Sequence, residues 1–131
     1  MLQTLDIEAK GAEIALVAGE DGLSSAIAKM LEGDGYRCRR IAAEAFCARP
    51  DEMPADVLVI DTAGAGIAAL DCCARHRHGH GAPRVLVVHG SGRAVDRRRA
   101  SALGADGFLA KPFAMSDLRR EIGRLLHEAS G

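Results

Sequence analysis

The sequence has few aromatic residues and no long apolar run. It contains no tryptophan, one tyrosine and three phenylalanines, so few side chains are available to stack on a flavin or a nucleotide base. No stretch approaches the roughly 20 apolar residues that a membrane-spanning helix requires. The first residues, Met-Leu-Gln-Thr-Leu-Asp-Ile-Glu, lack the charged and apolar regions of a signal peptide. We therefore expect a cytoplasmic protein that does not interact with membranes.

Three further chemical signatures are missing. The cysteines follow no disulfide-framework spacing, which favours a reduced chain. No predicted junction between a strand and a helix has the glycine pattern of a dinucleotide site or a P-loop, so a nucleotide-binding protein lacks support. The net charge of −1 argues against strong general affinity for nucleic acid or anionic membranes. The four cysteines are Cys38, Cys47, Cys72 and Cys73.

What the sequence does contain is a regular alternation of strand and helix patterns. Its 131 residues suit one domain, which we place at residues 13–128 after an N-terminal extension of residues 1–12. The alternation predicts an α/β fold, a flavodoxin-like, doubly wound (βα)₅ sheet of five parallel strands in the order 2-1-3-4-5. The strands are predicted at 13–18, 36–41, 56–61, 84–89 and 107–110. The helices are predicted at 23–32, 44–49, 65–77 and 94–103, with a fifth capped by Ser116 and carrying an apolar stripe of Leu118, Ile122, Leu125 and Leu126.

The most informative residues follow the third and fifth strands. The apolar run 57–60 is long enough for a strand buried on both faces, and it ends in Asp61. Lys111 follows the fifth strand and precedes Pro112. Because the carboxyl ends of parallel strands meet at one edge, we expect these two side chains within salt-bridge or one-water distance. A helix-capping carboxylate and a surface lysine before a turn proline are the alternatives.

A paired ammonium can bind and neutralise an anion formed on the carboxylate, and a phosphoryl group is the obvious candidate. Asp61, the segment Gly-Ala-Asp-Gly-Phe-Leu-Ala-Lys-Pro-Phe at 104–113 and the fivefold alternation together resemble the receiver domains of two-component response regulators, of the chemotaxis-regulator type. The resemblance covers about residues 13–126. It implies that Asp61 is the phosphoacceptor for a sensor histidine kinase or phosphotransfer protein, and that Lys111 binds the transferred group. It also implies a Mg²⁺ cofactor, a downstream protein target and no turnover of an external metabolite.

The first departure from the family concerns the metal. Receivers usually end their first strand with two adjacent acids that help to hold Mg²⁺, a cation that favours oxygen ligands. Ala18 and Gly19 occupy those places here. Glu20 and Asp21 follow and are, with Asp61, the candidate metal ligands if the loop shifts by one or two residues. The alternative is that both acids interact with the N-terminus of the first helix, so we expect weak Mg²⁺ binding.

The second departure concerns the switch. Where receivers have a Ser or Thr at the end of the fourth strand, 22 residues before the lysine, this chain has His89. An imidazole can donate a hydrogen bond to an anion but is larger than a hydroxyl. The aromatic switch partner is present as Phe108. The loop after Asp61 reads Thr-Ala-Gly-Ala-Gly, without the family's Met-Pro turn.

A basic region at 74–100 predicts a charged face. Receivers commonly use the fourth helix, fifth strand and fifth helix for dimers and partners, so we expect protein binding there, with a homodimer as one candidate, rather than nucleic-acid binding. A zinc site is the other reading of this region, but the spacing matches no established finger. The arginines are Arg75, Arg77, Arg84, Arg93, Arg97, Arg98 and Arg99; the thiol and imidazole groups are Cys72, Cys73, His76, His78 and His80.

Two hypotheses for function follow. In the first, the chain is a phosphorylatable receiver in which Mg²⁺ and Lys111 neutralise a phosphoryl group on Asp61, and His89 with Phe108 relays the change. In the second, it is a pseudo-receiver, an interaction module whose surface is fixed or controlled by partner binding. The missing pair of acids favours the second hypothesis.

Overall fold

The computed structural model describes residues 11–19, 22–49, 55–63, 69–72 and 83–130. These residues form strands and helices in alternation. The strands are β1 (Glu13–Val17), β2 (Arg37–Ile41), β3 (Val57–Asp61), β4 (Arg84–His89) and β5 (Gly107–Ala110). The helices are α1 (Gly22–Gly33), α2 (Ala43–Ala48), the helical residues 69–72, which we call α3, then α4 (Ala94–Ala102) and α5 (Met115–Ser130).

The five strands form one parallel sheet in the order β2-β1-β3-β4-β5, which confirms the predicted fold. β3 is central, and all five of its residues are buried. This burial follows from its unbroken apolar sequence, because a strand covered on both faces has no side that can carry polar groups. β2 is mostly exposed and lies at an edge, as its three arginines predict.

Two helical layers cover the sheet. One face packs against α1 and α5, and the other packs against α2, α3 and α4. The stripe predicted on the last helix is buried, because these four residues recur with helical spacing on the side that meets the sheet. In the described part of the chain, no helix combines the length and apolarity needed to cross a membrane.

The cap predicted for the last helix is wrong. α5 begins at Met115, so Ser116 lies within its first turn and is exposed. The side-chain oxygen Oδ2 of Asp117 instead accepts the backbone N–H of Ala114 at 3.2 Å. This is the acidic half of a capping box, in which a residue of the first turn reaches back to the residue before the helix.

The other boundaries agree with the sequence to within one or two residues, and β4 and β5 match their predicted ranges. Of the helix predicted at 65–77, residues 69–72 are described and are helical, and 65–68 and 73–77 lie outside the described residues; residues 62–63, before the predicted start, are helical as well. At the N-terminus, Gly11 N–H donates to the Gly35 carbonyl, and the Ala12 carbonyl accepts the Arg37 N–H. The domain boundary at residue 13 stays a prediction.

Candidate functional site

Asp61 and Lys111 meet at the carboxyl edge of the sheet. The ammonium nitrogen of Lys111 lies 2.9 Å from Oδ1 and 3.1 Å from Oδ2 of Asp61. β3 and β5 flank β4, and each of the two residues stands at the carboxyl end of its strand or directly after it. The predicted proximity is confirmed.

The Asp61 carboxylate is deeply buried. Its side chain is 1% exposed, while that of Lys111 is 24% exposed. Oδ1 also accepts the backbone N–H of Ala63 at 3.0 Å, so the helix-capping reading of this carboxylate and the ion-pair reading both hold. A carboxylate removed from water is costly unless it is paired and hydrogen-bonded, and among the described residues Lys111 and the Ala63 amide stabilise it.

The backbone fixes the position of Lys111 as well. Its N–H donates to the His89 carbonyl at 2.8 Å, which continues the pairing of β5 with β4 beyond the last residue of the strand. The peptide bond between Lys111 and Pro112 is cis. The contact of Lys111 with Asp61 presents a buried carboxylate oxygen beside a cation, which is an arrangement suited to forming and holding an anion.

The loop after β1 brings no carboxylate from Ala18 or Gly19. Ala18 N–H donates to the Ile41 carbonyl, and the Gly19 carbonyl accepts the Ser24 hydroxyl at 2.9 Å. Glu20 and Asp21 lie outside the described residues. Within the described residues, no group of three or more His, Cys, Asp or Glu side chains is arranged to hold a metal ion. Of the candidate metal ligands, the structure thus describes Asp61 alone.

An arginine that the sequence did not single out lies near this loop. The Arg40 guanidinium donates to the hydroxyl oxygen of Ser24 at 3.2 Å. Ser24 is fully buried in α1, so a hydrogen-bonded chain runs from β2 through α1 to Gly19. Arg40 stands opposite Leu16 of β1, and no motif signals this contact, because it depends on how β2 and α1 pack around β1.

His89 and Phe108 lie beside the ion pair, in β4 and β5. Their ring centroids are 5.9 Å apart with an angle of 56° between the planes. The structure places two further residues against His89: the Thr62 hydroxyl lies 2.6 Å from Nδ1, and a carboxylate oxygen of Asp96 lies 3.8 Å from Nε2. Sequence reasoning missed both, although the position of Thr62 directly after Asp61 was a usable signal.

The face around α4 is basic, as the sequence predicts. Four arginines of this region are exposed, and the guanidinium of Arg97 lies 4.8 Å from the centre of the Phe108 ring. Arg84 instead contacts Asp106 at 3.6 Å. Cys72 is buried in the core, which argues against a surface zinc ligand. The exposed residues are Arg93, Arg97, Arg98 and Arg99; the predicted positions Arg75, Arg77, Cys73, His76, His78 and His80 lie outside the described residues.

No protein-family model matches the chain. Among curated proteins, it is similar to the phosphate regulon transcriptional regulatory protein PhoB of Rhizobium meliloti. The two are 28% identical over 121 residues, which cover 89% of this chain and 53% of PhoB. The chain thus spans about half the length of the curated relatives that it matches.

Solved receiver domains have the same fold. A CheY-like response regulator receiver domain protein from Methanospirillum hungatei superposes with a TM-score of 0.79 at 21% identity, over 92% of this chain and 98% of that one. The receiver domain of the sensor histidine kinase PA1611 from Pseudomonas aeruginosa, solved with a magnesium ion in its active site cleft, gives 0.74 at 23% identity, over 89% and 98%. The chain is therefore similar in sequence to response regulators, and it has the fold of receiver domains.

Proposed function

We propose that the chain is a receiver-like signalling domain of a two-component or phosphorelay system that acts through protein–protein contacts. In this proposal, Asp61 stands at the phosphoacceptor position beside a degenerate acidic metal site. The observation that carries it is the contact of the Lys111 ammonium with both oxygens of a carboxylate that is almost fully buried. The alternative is a fully phosphorylatable, Mg²⁺-dependent receiver that Asp61 phosphorylation switches.

The chemistry of the alternative is a direct transfer. Among the described residues, Oδ1 of Asp61 accepts bonds from both Lys111 and Ala63, whereas Oδ2 accepts one from Lys111, so we take Oδ2 as the nucleophile. Its electron pair forms the new O–P bond while the P–N bond of a phosphohistidine breaks and leaves its electrons on the imidazole. The Lys111 ammonium then moves onto the transferred oxygens, where it neutralises their charge.

Mg²⁺, when bound, would add charge neutralisation at the phosphoryl oxygens. The receiver domain of PA1611 has a magnesium ion in its cleft, which makes the same cofactor reasonable here. Asp61 would hold it together with Glu20 or Asp21. Since Ala18 and Gly19 offer no carboxylate, we expect this site to be weak, and this expectation is the main reason to prefer the degenerate form.

The partners follow from the same proposal. The phosphoryl donor would be a sensor histidine kinase or a phosphotransfer protein, and the domain would act on a protein target in the cytoplasm. The surface of α4, β5 and α5 is the candidate for target binding or for a homodimer. Its exposed arginines and Val95, a large apolar residue that is 49% exposed, support contact with a protein that has an acidic rim.

The deciding experiment compares the natural chain with a variant that restores the acids, Ala18→Asp combined with Gly19→Asp. Each is incubated with a small phosphodonor and Mg²⁺, and the intact mass is measured over time. We expect the double variant to gain one phosphoryl group and the natural chain to gain little, because the degenerate site binds the metal weakly. Asp61→Asn in each background is the control and should abolish any gain.

Each outcome has a definite reading. Rapid phosphorylation of the natural chain at Asp61 would establish the alternative, a fully active receiver. If neither chain is modified, the position of Asp61 beside Lys111 does not make it reactive, and the phosphoacceptor assignment is lost.

A further inference from the structure

His89 has a polar group facing each of its two ring nitrogens. Nδ1 lies 2.6 Å from the hydroxyl oxygen of Thr62. Nε2 lies 3.8 Å from Oδ2 of Asp96. Thr62 directly follows Asp61, and Asp96 lies in the first turn of α4. The imidazole therefore connects the carboxyl end of β3 with α4.

Two neighbours bear on where the proton of a neutral His89 ring lies. The Thr62 hydroxyl has one proton, which it can donate to Nδ1 at 2.6 Å, or to the Val88 carbonyl at 3.3 Å while it accepts from an Nδ1–H group. The carboxylate oxygen of Asp96 faces Nε2 at 3.8 Å and favours a proton on that nitrogen over a lone pair. With the proton on Nε2, Nδ1 accepts the bond from Thr62.

Close packing does not by itself hold the ring in place. A cleft of about 140 Å³ borders it, lined in part by Thr62, Leu70, Asp96 and Phe108. A side chain beside such a space lacks dispersion contacts on that side and has room to rotate. The hydrogen bond with Thr62 is therefore one of the contacts that orient the ring, together with Asp96 at Nε2 and Phe108 against the ring.

We propose that Thr62 is a positioning residue that holds His89 in the Nε2-protonated form and directs it toward Asp96. Because Nδ1 accepts from Thr62 and Nε2–H points toward Asp96, the imidazole has to turn away from one of them before it can donate to an anion on Asp61. Phe108 packs against His89, and Arg97 packs on Phe108, so the same bond keeps this part of the α4 surface fixed. This last consequence rests on the proposed function, whereas the tautomer does not.

The tautomer can be read directly from the ring nitrogen shifts of His89 in the ¹⁵N-labelled full chain, measured at about pH 8.5, where an ordinary imidazole is neutral. The ring nitrogen resonances that disappear in His89→Gln are assigned to His89. We expect the Nε2-protonated form to dominate in the natural chain. Thr62→Val should shift the tautomer ratio about fivefold toward the other form, since it removes one hydrogen bond of ordinary strength.

The conservative replacement Thr62→Ser keeps the hydroxyl and should restore the natural ring shifts. If Thr62 had only a structural role, the His89 ring shifts would not depend on whether residue 62 carries a hydroxyl. Thr62→Ala provides a second variant without the hydroxyl in case the valine chain does not fold. If the variants without a hydroxyl keep the natural shifts, or if Thr62→Ser behaves like them, the positioning role is wrong.

A second measurement separates this inference from the proposed function. Beryllofluoride with Mg²⁺, as an analogue of the phosphoryl group, is added to the variant that restores the acids, Ala18→Asp with Gly19→Asp, and to the same variant carrying Thr62→Val. We expect amide shifts close to Asp61 in both, but shifts that reach α4 only in the chain with Thr62→Val. No response close to Asp61 in either chain would overturn the phosphoacceptor position of Asp61, while the tautomer measurement would still decide the role of Thr62. Equal responses of α4 in both chains would overturn the positioning role alone.

Discussion

Removing the cation of the buried pair should destabilise the fold more than removing the anion. At about 3 Å and an effective dielectric constant of about 20, the gross attraction between unit charges is about 5.5 kcal/mol. Lys111→Met removes it but leaves the Asp61 carboxylate 1% exposed, with the Ala63 amide as its remaining described partner. Breaking a buried pair in this way typically costs about 3–5 kcal/mol. Because Lys111 is itself 24% exposed, we expect about 2–3 kcal/mol.

Asp61→Asn should cost about 1 kcal/mol or less. The amide oxygen can still accept from Ala63, and the partly exposed ammonium of Lys111 can turn toward water. The double variant should then resemble Asp61→Asn, which gives a coupling energy of about 2–3 kcal/mol between the two side chains, the full cost of Lys111→Met.

The assay is urea unfolding of the four chains, with the denaturant slope compared to verify that they unfold in the same way. A matched control is Arg119→Met, which breaks an ion pair with Asp34 whose N–O distance is 2.6 Å but which is largely exposed. We expect a much smaller loss there, because water screens the pair. If Lys111→Met lowers the free energy of unfolding no more than Asp61→Asn or Arg119→Met does, the burial of Asp61 does not determine how much this ion pair contributes to stability.

Three other predictions address the metal, the last helix and a thiol. Isothermal titration should show weaker Mg²⁺ binding than in a receiver with two acids after its first strand. If the affinity is instead ordinary, and if Glu20→Ala or Asp21→Ala abolishes it, the loop supplies the ligands. Asp117→Ala should lower the free energy of unfolding by about 1 kcal/mol through loss of its bond to the Ala114 amide, while Ser116→Ala should have little effect. A larger loss in Ser116→Ala than in Asp117→Ala would show that Ser116 caps the helix. Burial raises the pKa of Cys38 to about 11, so alkylation followed by peptide mass spectrometry at about pH 8 should modify it about 100-fold more slowly than an unperturbed thiol. The rate should rise with pH up to about 11, and fast labelling of Cys38 near neutral pH would contradict the assigned burial.

Secondary structure was predictable where the residue pattern is compatible with only one type of element. The run Val57–Ile60 is too apolar for any place but a covered strand, and Arg84–His89 and Gly107–Ala110 are bounded by proline or glycine, so β3, β4 and β5 fall where expected. The exposed arginines likewise determine that β2 is an edge strand. The start of α5 was missed, because Ser116 and Asp117 are both acceptable capping residues and only the backbone geometry selects between them.

The order of strands and helices follows from the residue pattern alone, and the meeting of Asp61 with Lys111 follows from that order. Parallel strands place their carboxyl ends at one edge, so two residues 50 positions apart in the chain become neighbours for topological reasons alone. The contacts of His89, in contrast, depend on three-dimensional packing. Its partners Thr62 and Asp96 come from the end of another strand and from a helix packed over the sheet, and which ring nitrogen meets which partner depends on side-chain rotation and helix position. Hydrogen bonds act over about 3 Å, so such contacts are set by distances that a periodic pattern does not encode.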